Sequence, residues 1–105
     1  MDSIADFDWS TATEEEHLEF ARKARPAVLR DLARSYDWNM YAERGMTYVM
    51  AQRCMDLGSA LTAFLNGEPE RFNYLSKRHV TPEYQGVARL LDNICLRVNS
   101  GFYLV

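Results

Sequence analysis

The sequence has few residues that break or cross-link a chain: three prolines, five glycines and two cysteines among 105 residues. So few turn-forming residues do not suit an all-β protein, in which short strands alternate with many turns. No apolar run reaches the roughly 18 residues that a membrane-spanning helix needs, so no membrane partner is expected. Residues 1–6 are acidic, and they lack the positive charge that opens a secretion signal.

The two cysteines, Cys54 and Cys95, are far apart in the sequence and form no Cys-x-x-Cys pair. We interpret them as reduced thiols that fill space near the core in apolar surroundings, with a disulfide as the alternative. Together with the lack of a secretion signal, this predicts a cytoplasmic protein.

Positive charge is absent from residues 1–19, although the chain as a whole has a net charge of only −3. The acidic residues of this segment are Asp2, Asp6, Asp8, Glu14, Glu15, Glu16 and Glu19. Such a segment disfavours nucleic-acid binding, which depends on the neutralisation of phosphates. It suits a basic protein partner, with Glu15 and Glu19 as contacts, or it serves only solubility and helix N-terminal charge. The basic and aromatic residues 71–79 are expected to form a solvated helix face, with nucleic acid as an alternative ligand.

Apolar residues recur at helical spacing along most of the chain, which predicts an all-α fold. After an irregular acidic lead over residues 1–12, we expect a single helical domain over residues 13–105. About six short helices are predicted, over residues 13–24, 26–36, 40–52, 57–66, 69–77 and 82–99. They form three hairpin pairs with short connections, either a compact orthogonal bundle or a short stack like that of helical repeats.

Residues that favour helix starts and ends support these boundaries. Thr13 and Glu16 have the spacing of a capping box, and Asp56 is placed to cap the fourth helix. Gly67 is predicted to take a left-handed conformation after that helix. The last helix has an apolar stripe that consists of Tyr84, Val87, Ala88, Leu91, Ile94, Cys95 and Val98.

The fourth helix is the most apolar one, and its larger side chains fall on one side. Leu57, Leu61, Phe64 and Leu65 are therefore predicted to face the core. The apolar residues 102–105 are expected to dock on the body of the protein. The aromatic residues of the lead, Phe7 and Trp9, are expected to fold back onto it, because exposed large aromatics are costly.

Two short segments are similar to a known family. Trp38-Asn39 resembles the Trp-Asp/Asn connector of that family. The family's Cys-Asp-Leu-Gly-Thr-Ala-Leu signature is similar to the segment Cys54-Met55-Asp56-Leu57-Gly58-Ser59-Ala60-Leu61 of this chain. Both occur in small, mostly bacterial helical domains of unknown function, whose Gly-Phe-Tyr ending also resembles residues 101–103. This chain departs from the signature by the inserted Met55 and by Ser59 in place of Thr. The resemblance implies an all-helical domain and no catalytic residue.

No catalytic constellation, phosphate loop or dinucleotide motif occurs, so neither an enzyme nor a cofactor is expected. Glu14-x-x-His17 has the spacing of a di-iron helix motif, but its second copy is missing, so no metal site is predicted. A catalytic Cys–His pair stays open as an alternative, formed by Cys54 or Cys95 with His17 or His79.

The sequence favours a non-catalytic cytosolic protein-binding module, for example an inhibitor of the immunity-protein or antitoxin type, with Trp9 and Trp38 among its aromatic anchors. A second hypothesis is a small-ligand-binding or enzymatic domain. Its pocket would be lined by Trp38, Asn39, Tyr41 and Asp56. A third hypothesis is a self-associating structural domain, a homodimer formed through residues 102–105 or through the methionine-rich third helix.

Overall fold

The computed structural model describes residues 4–72 and 82–105, and within them the protein is all-helical, as predicted. The α-helices are α1 (Glu14–Lys23), α2 (Pro26–Ser35), α3 (Ala42–Met50), α4 (Leu57–Asn66) and α5 (Pro82–Ser100). Two 3-10 turns, Ile4–Asp6 and Pro69–Phe72, add to them. Five α-helices therefore stand where about six were expected within these residues. The predicted fifth helix begins as the second 3-10 turn, and its remainder, with residues 73–79 of the basic segment, lies outside the described residues.

Local capping explains where the helices begin. The amide of Glu16 donates to the Thr13 hydroxyl over 3.2 Å, and the amide of Thr13 donates to the Glu16 carboxylate over 2.9 Å. This is the predicted capping box at the start of α1. Pro26 occupies the first position of α2, where its missing N–H has no intrahelical partner to lose.

The core lies where α2 packs on α4, where α3 packs on α1, and where α5 packs on both α3 and α4. Met46, Val49, Met50 and Met55 are fully buried at its centre. The methionines of α3 therefore fill the core and do not form a dimer surface, which corrects that part of the self-association hypothesis. Methionine suits this position because its unbranched chain fills irregular spaces between several helices.

The buried side of α4 differs from the prediction. Ser59, Ala60 and Ala63 are buried, whereas Leu61 and Leu65 are 43% and 67% exposed. Small side chains allow α2 and α4 to approach closely, so this side of α4 faces the core, whereas Leu61 and Leu65 face outward. Leu57 and Phe64 pack against the core, as predicted. The apolar pattern was wrong for Leu61 and Leu65 because it weighs hydrophobicity and ignores size.

Gly67 ends α4 for a different reason from the one predicted. Its φ is −75°, which is right-handed, while Glu68 after it has a φ of 55°. A Cβ at Gly67 would lie 2.6 Å from Leu91 Cδ2 and 3.0 Å from Trp38 Cζ3. The missing side chain therefore makes room for two neighbours and does not serve backbone conformation.

The stripe predicted for α5 is only partly correct. Leu90, Leu91 and Ile94 are buried, but Tyr84 is 42% exposed and Cys95 is also exposed. The predicted apolar surroundings therefore do not apply to Cys95. At the end of this helix Gly101 takes the left-handed conformation, with a φ of 77°.

Phe7, Trp9 and Tyr103 pack on the helices, as expected, whereas the side chains of Phe102, Leu104 and Val105 are exposed and do not dock as predicted. Tyr103 is buried and its hydroxyl donates to the carbonyl of Met50 over 3.0 Å. Leu104 pairs with the start of α4, since the amide of Leu57 donates to its carbonyl over 2.6 Å. Phe7 and Trp9 pack against Phe20, with ring centroids 4.9 Å apart in both pairs.

Within residues 4–72 and 82–105, no helix is long and apolar enough to cross a membrane.

Candidate functional site

The connector between α2 and α3 is a tight turn with its own hydrogen bonds. The Asp37 carboxylate accepts from the amide of Asn39 over 2.9 Å, and its carbonyl accepts from the amide of Met40 over 3.0 Å. The amide of Tyr41 donates to the Tyr36 hydroxyl over 3.1 Å. An Asp in this position closes an Asx turn. The side chains of the connector are therefore presented from an ordered backbone.

This connector forms one wall of an open cavity of about 350 Å³, named here the Trp38 cavity. Its lining residues are Glu14, Trp38, Asn39, Met40, Tyr41, Ala42, Glu43, Tyr84 and Val87. Three of the four residues predicted to share a pocket are thus brought together by the connector. Asp56 does not line this cavity.

Two carboxylates share the cavity with three aromatic side chains. The Glu14 carboxylate oxygen Oε1 lies 3.5 Å from Arg44 Nη1, so the charge of Glu14 is partly compensated. Glu43 forms no ion pair within the described part of the chain, and its carboxylate rests against Gly86 of α5. The most exposed aromatic residues of the cavity are Tyr41 and Tyr84, whose exposed fractions are 37% and 42%. Aromatic faces beside a carboxylate attract a cation.

Trp38 anchors the inner wall of the cavity. The edge of its ring packs on Gly67, and it contacts the buried core as a half-buried side chain. Its indole Nε1 is buried without a hydrogen-bond partner, and among the described residues no other buried side-chain nitrogen or oxygen lacks one. An unpaired buried N–H costs about 1–3 kcal/mol, so packing holds Trp38 in place and polar contacts do not.

His17 lies next to the cavity and supports it through a chain of hydrogen bonds. Its Nε2 is 2.9 Å from the carbonyl of Trp9, which can only accept, so Nε2 carries the proton. Its Nδ1 then accepts from the Tyr36 hydroxyl over 2.8 Å. Tyr36 in turn accepts from the amide of Tyr41, whose ring centroid is 4.9 Å from that of His17. The buried His17 is therefore a structural residue with both nitrogens engaged.

Asp56 acts as the cap of α4, as its position in the sequence predicts. Its carboxylate accepts from the amide of Ser59 over 3.0 Å and from the Ser59 hydroxyl over 2.7 Å. The hydroxyl also accepts from Arg34 of α2 over 2.7 Å. The Ser59 hydroxyl is the main cause that lowers the pKa of Asp56, and the backbone bonds and the charge of Arg34 lower it further. The cap thus joins α4 to α2.

The acidic residues of α1 have partners within the protein. Glu15 pairs with Arg44, and Glu19 lies 3.2 Å from Arg22 and 3.7 Å from Lys23. Trp9, the other predicted anchor, is half-buried and donates from Nε1 to the carbonyl of Ile4 over 2.9 Å. These contacts weaken the case for α1 as an acidic docking face.

Metal ligands and thiols do not cluster in the part of the chain that the structure describes. No group of three or more His, Cys, Asp or Glu side chains that could hold a metal ion occurs among these residues. Cys54 and Cys95 are both free thiols. The nitrogens of His17 are bonded to Tyr36 and Trp9, so neither thiol pairs with this histidine.

Comparison with known proteins gives no relative: no protein-family model, curated protein or solved structure matches the chain. The resemblance to small bacterial helical domains therefore stays a prediction.

Sequence reasoning missed Glu43, Tyr84 and the supporting role of His17. Gly86 carried a usable signal for Glu43, because a glycine inside a helix often marks a close approach by another element. No sequence signal placed Tyr84 in the cavity, since it lies far along the chain on α5 and was assigned to the core.

Proposed function

We propose that the protein is a non-catalytic protein-binding module that accepts a basic side chain of its partner in the Trp38 cavity. The observation that carries this proposal is the pairing of the Glu43 carboxylate with Trp38, Tyr41 and Tyr84 in one open cavity. An inhibitor of the immunity-protein or antitoxin type, which covers a basic surface of a toxin, is a concrete form of such a module.

The chemistry of the cavity favours a lysine or arginine side chain over other groups. A cation on an aromatic face gains roughly 0.5–1 kcal/mol at exposed sites and about 2 kcal/mol when desolvated. Glu43 adds a carboxylate that forms no ion pair with a described residue. The exposure of Tyr41 and Tyr84 allows a side chain to enter from a flat partner surface.

Two of the groups considered for catalysis or ligand binding, His17 and Asp56, are engaged in other roles. Both nitrogens of His17 are hydrogen-bonded, and Asp56 caps α4. This supports a binding role for the cavity and gives no support to the enzymatic alternative.

A free organic ammonium ion is the second candidate ligand, because the volume of about 350 Å³ lies at the lower end of small-molecule sites. Such sites are usually concave and mostly apolar, whereas two carboxylates and Asn39 line this one. The cavity therefore fits a side chain of a partner better than an enclosed ligand.

The test is an NMR titration with the capped amino acids N-acetyl-lysine methylamide and N-acetyl-arginine methylamide. We expect millimolar binding, with shifts of the Trp38 indole and of the Tyr41 and Tyr84 amides. Glu43→Gln should remove these shifts. The control Glu19→Gln, which alters an exposed acid outside the cavity, should keep them.

Tetramethylammonium separates the two candidates. Binding of this ion with an affinity well above that of either capped amino acid would favour the free ligand. If none of the three compounds shifts the Trp38 signals, the proposed site is wrong.

A further inference from the structure

The outer side of α4 carries two exposed leucines, and the charge nearest to it is the Asp56 carboxylate beside Gly58 at the N-terminal end of the helix. No charged residue occurs between Leu57 and Asn66. Leu61 and Leu65 point away from the core and are 43% and 67% exposed. Gly58 is exposed beside them, and Thr62 is half-buried. These four residues, named here the α4 face, follow the i, i+3, i+4, i+7 spacing of a helix-packing stripe.

The α4 face is complementary to itself in one orientation. Two copies of α4 that run antiparallel, centred between positions 61 and 62, place each Leu65 opposite Gly58 of the second copy. The same register places each Leu61 opposite Thr62. A large side chain thus meets a small one at every position, which is the condition for ridges to fit into grooves. A two-fold axis requires such reciprocal contacts.

The charges at the ends of α4 favour the same orientation. Glu68 and Glu70 follow the helix, and Arg53 precedes it. In the antiparallel pair the acidic end of one copy lies near the Arg53 end of the other, and the opposite ends of the two helix dipoles also meet. Arg53 and Glu70 are both exposed, so they can form this contact.

We infer that the α4 face binds a second copy of this chain and forms a two-fold antiparallel homodimer. Charged residues are absent from the middle of the α4 face, so two copies meet there without the repulsion that like charges cause. This inference is independent of the proposed Trp38 cavity, to which none of Gly58, Leu61, Thr62 and Leu65 contributes.

Sedimentation equilibrium between about 1 μM and 1 mM tests the inference, because this range covers weak and moderate dimers. The expected mass rises with concentration from 12.2 kDa towards twice that value. Leu65→Glu should raise the dissociation constant at least tenfold, because it buries a charge in the interface. Leu96→Glu is the matched control: Leu96 lies on α5 and is 66% exposed, almost the same fraction as Leu65, and association should be unchanged.

Two further measurements test the register. In a background with Cys54→Ser and Cys95→Ser, Leu61→Cys should form an intermolecular disulfide on mild oxidation, whereas Leu96→Cys should not. Arg53→Glu alone should weaken the dimer several-fold, and Arg53→Glu with Glu70→Arg should restore it, since the exchanged charges attract again.

A wild-type protein that stays at the monomer mass up to 1 mM would overturn the inference. So would a Leu65→Glu variant that dimerises like the wild type. Circular dichroism of each variant shows whether the fold is kept; both leucines are exposed, so we expect it to be.

Discussion

At the scale of single residues, the best-defined feature is the chain of hydrogen bonds through His17. It connects the lead, α1, the end of α2 and the start of α3 through three hydrogen bonds. The Glu14-x-x-His17 spacing is that of a metal-ligand motif, but no metal site is predicted from it. The actual role of His17 depends on Trp9 and Tyr36, which are brought to it by the fold and are not its sequence neighbours.

We predict that His17 and Tyr36 stabilise the protein as a coupled pair. His17→Phe leaves the Trp9 carbonyl and the Tyr36 hydroxyl without their partner, and it should lower the free energy of unfolding by about 2 kcal/mol. Tyr36→Phe should cost about 1 kcal/mol. The double variant should lose about 1 kcal/mol less than the sum. Urea denaturation of the four proteins measures this coupling, and additive losses would contradict it.

A second residue-scale prediction concerns Asp56. Asp56→Ala removes a cap that bonds the Ser59 amide, and it should lower the free energy of unfolding by about 0.5–2 kcal/mol. Ser59→Ala keeps the backbone cap and removes the hydroxyl that bonds both Asp56 and Arg34, so its loss should come from the side-chain link between α4 and α2. Urea denaturation at neutral pH compares the two variants.

The pKa of Asp56 also predicts how stability changes with acid. Because the folded state lowers this pKa below 3.8, the carboxylate stabilises the protein above that pH. The contribution is lost as the pH falls through the lower folded value. Asp56→Asn should therefore flatten the fall in stability below pH 4, which denaturation curves at several acidic pH values can measure. An unchanged acid limb would contradict the assigned cause.

At the scale of helices, two glycines differ in how easily their neighbours can move. Gly67 lies against the side chains of Leu91 and Trp38, both of which are held in the packed interior. Gly86 lies against the carboxylate of Glu43, which is the free end of a flexible side chain. A methyl group added at Gly67 would therefore clash with side chains that cannot move easily. One added at Gly86 would displace only the flexible side chain of Glu43.

We predict that Gly67→Ala destabilises the protein by about 1–3 kcal/mol, because it overpacks the contact between α4, α5 and Trp38. Thermal unfolding measures the loss. A melting temperature equal to that of the wild type would show that Trp38 or Leu91 moves without cost.

Gly86→Ala should have the opposite effect on stability. Alanine inside a helix is favoured over glycine by about 0.5–1 kcal/mol, and Glu43 can move aside. The displaced carboxylate should, however, weaken lysine binding in the Trp38 cavity. The variant should thus be at least as stable as the wild type and bind N-acetyl-lysine methylamide less well. Retained binding would argue against Glu43 as the group that holds the cation.

At the scale of the whole molecule, the C-terminal residues connect elements that are distant in sequence. Tyr103 bonds the end of α3, and Leu104 pairs with the start of α4. Tyr36 performs a similar role on the opposite side, between α1 and the connector. Burial raises the pKa of both hydroxyls above their ordinary value of 10.0.

The raised pKa values predict a loss of stability at alkaline pH. A tyrosine whose folded pKa exceeds its unfolded value stabilises the protein fully below the unfolded value, and the effect is lost as the pH rises through the folded one. Stability should therefore fall from about pH 10 upward. Tyr103→Phe should cost about 1 kcal/mol at neutral pH and reduce the alkaline fall. Denaturation curves at pH 7 and above pH 10 compare the two proteins, and an equal alkaline fall in both would be contrary to this expectation.

Short-range features were predictable from the sequence because their causes are local. The capping box at Thr13, the cap at Asp56 and the proline at the start of α2 each act within about one turn of helix. Hydrophobic spacing gave the all-helical class, and the Trp38-Asn39 connector was correctly placed between two helices. Three residues of the Trp38 cavity were predictable for the same reason, since they are adjacent in the chain.

Only the tertiary structure decided which side chains of α4 are buried and what surrounds each polar side chain. Leu61 and Leu65 face outward because α2 needs the small residues Ser59, Ala60 and Ala63 against it. Glu43 and Tyr84 meet because α3 packs on α5. Such outcomes depend on the fit between elements that are distant in sequence, and a one-dimensional pattern carries local preference but no information on that fit.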